Sequence, residues 1–426
     1  MRIVLKHARL FDPGSGLDHP KRTVIVDGDR IASLDAPQDA HGDKIVDLKG
    51  GLLVPGLVDL RAHLCEPGFT KRETIATGAR AAARGGFTTV VMMPTTQPTI
   101  DRPEVVELIL ARARDAGGTR ILPAGALSVD RKGERLTEMA QLAARGCVAF
   151  TDADRSVRDS QLLRYALELA SELNLPIFTH AEDESLSLGG VMHEGSVSIR
   201  LGLAGAPVAA ETVGISRDIA LAALTGGRLH FGHVTTAEGI ELIRQAKKRG
   251  IRVTAEASPL YMTLTHDAVI GYQTAAKVWP PLRPRSDVDA VIAGVADGTL
   301  DAIASDHVPQ TNLDKNMEYD RAAFGAVALE TALSVVLSLV REGRLTLERA
   351  ISAMTRSPAQ VLGHSGIGRL VEGGLADLTA IDLEKSWVFN VASSASRSFN
   401  SPILGETLRG RAVLTIASGE ITHEEL

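Results

Sequence analysis

Eight short apolar runs recur between residues 56 and 306, and their arrangement limits the fold more than any other feature of the chain. They are "GLVDL", "TTVVMM", "RILPAGA", "CVAFTD", "PIFTH", "LHFGH", "IRVTAEA" and "DAIASD". Each has strand length. Amphipathic stretches such as "SQLLRYALELASELN" and "AEGIELIRQAKKRG" lie between most of them, with apolar residues at helical spacing. Alternation of this kind builds a parallel sheet covered by helices. Eight units predict a closed (β/α)8 barrel. A doubly wound open sheet is the alternative, weakened because no glycine fingerprint follows the first strand.

The two ends have a different character. "RIVLKHARLFD" alternates, "PGSG" turns, and "KRTVIVDGDRIASLD" holds a strand pair around an Asp-Gly turn signal. "ADLTAIDLEKSWVFN" and "AVLTIASGEITHEEL" read the same way. Residues 1–55 and 366–426 are therefore expected to form one small β-sandwich-like domain, with 56–365 as the barrel.

Composition narrows the partners. A net charge of -6 with no basic stripe argues against nucleic acid. No apolar run is long enough to span a bilayer, and the N-terminus turns polar too soon for a signal peptide. Two cysteines, Cys65 and Cys147, are too few for a disulfide framework, so a cytoplasmic location is expected.

In (β/α)8 barrels the chemistry sits at the C-terminal ends of the strands. Here those ends carry Arg61 and His63, Thr95, the "TDAD" acids Asp152 and Asp154, His180, His233 and Asp306. Three histidines and an aspartate converging from four strands point to an ancestral metal site. Two histidines two apart on a strand face one way and can share a metal ion. In this chain the first of such a pair is Arg61, which has no acceptor and carries a charge that repels a cation.

The segments "PGLVDLRAHLCEPG", "GGFTTVVMMPTTQPT", "FTHAED", "HFGHVTTAEGIELIRQAKKRG", "VTAEASPLYMTLT" and "KVWPPLRPRSDVDAVIAGVADGTLDAIASDHVP" resemble the dihydroorotases and, more broadly, the cyclic amidohydrolases. The likeness runs from about residue 1 to residue 420 and includes the flanking β domain. It implies a barrel that holds one or two zinc ions. A metal-bound hydroxide would attack a ring amide, and Asp306 would shuttle the proton.

The same resemblance exposes departures. The family's first-strand His-x-His is Arg61-x-His63, and its metal-binding group after the fourth strand aligns with Ala153. Family positions that hold the substrate carry Cys65, Thr95 and Trp279, and Gln310 and Pro259-Leu260-Tyr261 stand where the family has histidines. His63, His180, His233 and Asp306 remain as a residual metal set, two ligands per zinc where a catalytic zinc takes three. Arg61 is expected to pair with Asp306, His180 with Glu182 or Asp183, and Trp279 to fill space. The charged segment 310–324 is expected to be mobile and a candidate contact region.

These departures imply a chain with an idle Asp306 and no zinc, or weak residual zinc. Its closest likeness is to non-catalytic dihydroorotase-like chains that stabilise aspartate carbamoyltransferase, as a homodimer inside a larger hetero-oligomer. The alternative is an active zinc-dependent dihydroorotase, or a related hydantoin- or allantoin-type ring hydrolase. A third reading is a chain that binds a pyrimidine intermediate in the barrel mouth without turnover.

Overall fold

The eight apolar runs form eight parallel strands in the computed structural model, which describes residues 1–426. They are Leu57–Ala62, Phe87–Met92, Arg120–Gly125, Ala149–Phe150, Ile177–Thr179, Leu229–Phe231, Val253–Ala257 and Ala302–Ile303. Neighbours in sequence are neighbours in the sheet. The first strand also meets the segment after the eighth. Ala62 bridges His307 in parallel, and the His63 amide donates to the His307 carbonyl at 2.8 Å. The sheet is thus a nearly closed barrel, and the open-sheet alternative falls.

The strands alternate as a pleated sheet must. Val58, Leu60, Val91, Ala149, Phe178 and Ala302 pack into one cluster. Their sequence neighbours Leu57, Val90, Phe150, Ile177 and Ile303 join the larger core shared with the helices. Both faces are buried, so the strands read as continuous apolar runs rather than as alternating ones. Helices start where side chains satisfy their first amides. Thr74 caps Ile75–Arg84, Asp159 caps Ser160–Glu172 and Thr236 caps Ala237–Lys248. Each cap contributes about 1 kcal/mol.

Strands from both ends of the chain make a second eight-stranded sheet. Arg2–Asp12 lies between Leu17–Asp27 on one side and Lys44–Asp47 and Leu52–Pro55 on the other. Leu378–Val388 pairs with Leu52–Pro55 and Thr407–Ala417, and Glu420–Glu424 forms the edge. Ile3, Leu5, Val24, Val26, Leu53 and Leu378 fill its own core. The sheet is tied to the barrel by Arg120 on Asp377 at 2.7 Å and by the Thr379 hydroxyl on the Gly86 carbonyl at 2.6 Å. No helix is long and apolar enough to cross a membrane.

The segment 310–324 is built differently from the expectation. It contains a short helix, Asn312–Lys315, and is fastened from within. The buried Lys315 ammonium donates to the Thr274 and Lys277 carbonyls at 3.0 Å each. The Gln310 amide donates to the Phe324 carbonyl at 2.8 Å. Its charged residues serve internal anchoring as well as solvation, which a count of charges does not reveal.

Candidate functional site

A cavity of about 420 Å3 opens at the C-terminal ends of the strands. Arg61, His63, Cys65, Thr95, His233, Trp279 and Asp306 all line it. Three non-glycine residues that line it, Cys65, His233 and Asp306, sit at φ of 62°, 35° and 52°, and Ala153, next to the lining Asp154, sits at 60°. Backbone in this region is costly for residues with a Cβ, and it clusters at sites where side chains must be aimed. The strand ends at the cavity are thus contorted.

Arg61 leaves the first strand inward and is 1% exposed. Its Nε donates to Glu256 Oε1 at 2.7 Å. Glu256 stands on the seventh strand and also binds His230 Nε2 at 3.1 Å, while His230 Nδ1 meets the Thr254 hydroxyl at 2.9 Å. Burial alone would raise the Glu256 carboxyl. Arg61 and His230 outweigh burial and hold it below the ordinary value. The expected Arg61–Asp306 pair is therefore corrected: the guanidinium pairs with Glu256, a buried carboxylate already in the barrel wall. Asp306 has no hydrogen-bonded partner of its own. Burial pushes its carboxyl up to about 7, with Arg61 pulling the other way.

Gly232 makes room for this arrangement. A Cβ there would lie 2.0 Å from Arg61 Nη2, so only glycine tolerates the guanidinium at that point.

At the ends of the fifth and sixth strands, His180 and His233 come together. His180 Nδ1 and His233 Nε2 are 3.3 Å apart, and the rings meet edge-on with centroids at 5.0 Å. His180 Nε2 donates to Glu182 Oε2 at 2.7 Å, the partner expected from sequence. Trp279 Nε1 donates to the same oxygen at 3.0 Å, and its ring rests on Phe324. Trp279 therefore fills space as expected and is also a donor. Burial would raise Glu182, but His180, Ser187 and Trp279 draw it down to about 2. Burial holds His233 well below its ordinary value, so the ring is neutral.

His63 is held by the Thr95 hydroxyl at 2.6 Å from Nδ1. Burial lowers its ring to about 3, with Arg61 adding to the effect. Ala153 is fully buried among Val58, Leu60 and Ala302. Of its acidic neighbours, Asp152 turns away to bind the Ser128 amide and hydroxyl at 2.9 and 2.5 Å. Asp154 lines the cavity and pairs with Arg131 Nη1 at 2.5 Å. Cys65 is buried, and burial pushes its thiol up to about 12. Tyr261 donates to the Pro280 carbonyl at 2.8 Å, and His307 Nε2 approaches Glu73 at 3.3 Å rather than the cavity.

These residues do not fit a zinc centre. No group of three or more His, Cys, Asp or Glu side chains stands close enough to hold a metal ion. Both His180 nitrogens are engaged, one His63 nitrogen is taken by Thr95, and a guanidinium lies where a cation would need ligands. Sequence reasoning missed Glu256, His230 and Gly232. The first left a signal: an acidic residue inside the otherwise apolar run "VTAEA".

Solved structures share this architecture. An L-hydantoinase (dihydropyrimidinase) from Arthrobacter aurescens superposes with a TM-score of 0.89 at 25% identity, covering 99% of this chain and 96% of that one. A D-hydantoinase (dihydropyrimidinase) from Thermus sp. superposes at 0.84 with 20% identity, covering 99% and 95%. The barrel thus has the fold of the hydantoinases. Residues 155–423 match the amidohydrolase family model, and residues 50–239 match the dihydro-orotase-like model. A dihydroorotase from Anaeromyxobacter dehalogenans strain 2CP-C is 47% identical, covering 99% of this chain and 98% of the relative. One from Endomicrobium trichonymphae is 46% identical over the full length of both. The chain belongs to the dihydroorotase family of the amidohydrolases.

Proposed function

We propose that this chain is a dihydroorotase-family protein that does not open a ring and serves as a cytoplasmic structural subunit for aspartate carbamoyltransferase. The observation that carries the reading is the buried Arg61–Glu256 pair at 2.7 Å, which puts a fixed cation where a catalytic metal would need its ligands. Ring hydrolysis at neutral pH needs a nucleophile, and in this family the metal supplies it. Without the metal, Asp306 has no bound water to deprotonate. A fold kept intact around such a pocket has its use in its surfaces, and assembly with the carbamoyltransferase is the role the family likeness offers. The chain would enter that assembly as a homodimer.

A second reading has its own support. The relatives named dihydroorotase are nearly half identical over the whole chain, and His63, His233 and Asp306 line one cavity. That favours an active zinc-dependent dihydroorotase, with Asp154 recruited as a ligand.

One experiment separates them. Dihydroorotate ring opening and closing is measured on the purified chain with zinc in excess, and bound metal is counted on the same sample. The structural reading expects no turnover, far less than one zinc per chain, and a larger assembly on mixing with aspartate carbamoyltransferase. Turnover with about one zinc per chain would establish the enzyme reading instead. Absence of any mixed assembly would remove the proposed partner.

A further inference from the structure

Three guanidiniums line the cavity, and each is matched by a carboxylate. Arg61 pairs with Glu256 at 2.7 Å, Arg72 with Asp314 at 3.2 Å and Arg131 with Asp154 at 2.5 Å. Asp306 lines the same cavity and is matched by nothing. Among the Arg, Lys, Asp and Glu side chains of the lining it alone has neither an ion pair nor a hydrogen bond. The Arg61–Glu256 pair presents both signs of charge to it, so neither partner is free to serve it. Its carboxylate is not sealed into the wall. Asp306 is half-buried, and neither of its oxygens is among the unpartnered side-chain atoms closed to solvent. Its backbone stands at φ 52°, a costly conformation that persists where a side chain has to be aimed.

From this imbalance we propose that the cavity binds a small alkylammonium ion, with its charged head on Asp306. A lone carboxylate in a pocket is costly to leave uncompensated. A primary ammonium supplies the charge and three N–H donors, and it does not need the set of ligands that a metal demands. The rest of the lining suits an alkyl tail. Leu260, Tyr261, Val278, Trp279 and Phe324 contribute apolar and aromatic surface, and about 420 Å3 leaves room for a short chain. Aromatic rings attract such ions. One ring of this wall already does so, since the Lys277 ammonium stands 4.5 Å from the Phe324 centroid. The three arginines oppose a cation, each damped by its own carboxylate, which sets the affinity on the order of millimolar rather than tighter. An organic cation would thus be held by Asp306 where active members hold a metal. The inference rests on the metal-free reading of the pocket.

Butylammonium is the probe. Saturation-transfer NMR of its methyl signal is followed on the whole purified chain at pH 8 and constant ionic strength, with 1-butanol as the uncharged control of the same length and bound zinc counted on the same sample. The expected result is saturable butylammonium binding, at least about tenfold weaker binding of 1-butanol, and a loss of similar size in Asp306→Asn. Asparagine accepts a positive φ, so that variant keeps the local backbone. Should it fail to fold, Asp306→Gly, also at ease at that φ, is read in its place with the same expectation. Butylammonium binding unchanged in these variants, or equal binding of 1-butanol, overturns the site. Failure to saturate in the metal-free chain overturns this inference alone. About one zinc per chain overturns the metal-free reading itself.

Discussion

The two walls of the cavity solve the same problem in different ways. On the first-strand wall Arg61 is buried, and Glu256, itself bonded to His230, meets its charge. On the fifth- and sixth-strand wall the histidines are kept, yet they are wired to each other, to Glu182 and through it to Trp279. One wall carries a buried ion pair. The other carries two histidines whose hydrogen bonds are taken up by each other and by Glu182. Residue identity alone therefore says less about a metal site than the partners each ligand has acquired.

The largest expected effect tests the first wall. Glu256→Ala leaves a buried guanidinium with no counter-charge, and arginine does not escape by shedding a proton. The expected loss is about 3–5 kcal/mol in urea unfolding at pH 7. Arg61→Met should cost less, about 1–3 kcal/mol, because Glu256 can take up a proton and keep its bond to His230. Equal losses in the two variants would show that Glu256 does more than neutralise Arg61.

Gly232 sharpens the same comparison. Gly232→Ala places a Cβ against Arg61 Nη2 and should destabilise by about 1–3 kcal/mol. In an Arg61→Ala background the clash is gone, so the second substitution should cost almost nothing. A double-mutant cycle reads the coupling directly. Additive losses would mean that glycine is needed there for backbone reasons unrelated to the arginine.

The second wall predicts a smaller effect. Trp279→Phe keeps the ring against Phe324 but removes the donor to Glu182. About 0.5–1.5 kcal/mol should be lost. A loss as large as that of Glu256→Ala would mean that this wall, and not the arginine wall, governs the stability of the pocket. The metal chemistry offers a cross-check: Arg61→His alone should gain no ring hydrolysis, since Ala153, Cys65 and Thr95 are untouched. Appreciable turnover by that variant would reverse the account of the first wall.

Much of this was legible before any coordinates. The eight apolar runs became eight strands, because buried parallel strands must be apolar on both faces. His63, His233, Asp306, Cys65, Thr95 and Trp279 met at one cavity because strand ends in a barrel converge. What could not be read was pairing. Arg61 chose Glu256 over Asp306, and the two are 195 residues apart in sequence. Such a partnership depends on which side chains point into one layer of the barrel, and a charge list does not carry that. The anchoring of 310–324 by Lys315 was hidden for the same reason, since its acceptors are backbone carbonyls that every sequence offers.

The smallest effect concerns Cys65, which stands beside His63 on the arginine wall and could be taken for a nucleophile. The structure gives it the opposite character. It is 6% exposed, and burial, with Glu73 adding to it and Arg72 pulling the other way, pushes its thiol up to about 12. A thiol that weak is thiolate in only about one molecule in ten thousand at pH 8, and the thiolate is the reactive form. Cys147 is buried and shifted in the same direction. Neither cysteine of the folded chain should react with a thiol reagent at pH 8 over several minutes, and both should react at once in urea. A fast single-thiol phase in the native protein, lost in Cys65→Ser, would show that the arginine wall is open to reagents and harbours an activated sulfur. The two walls would then differ in reactivity as well as in wiring.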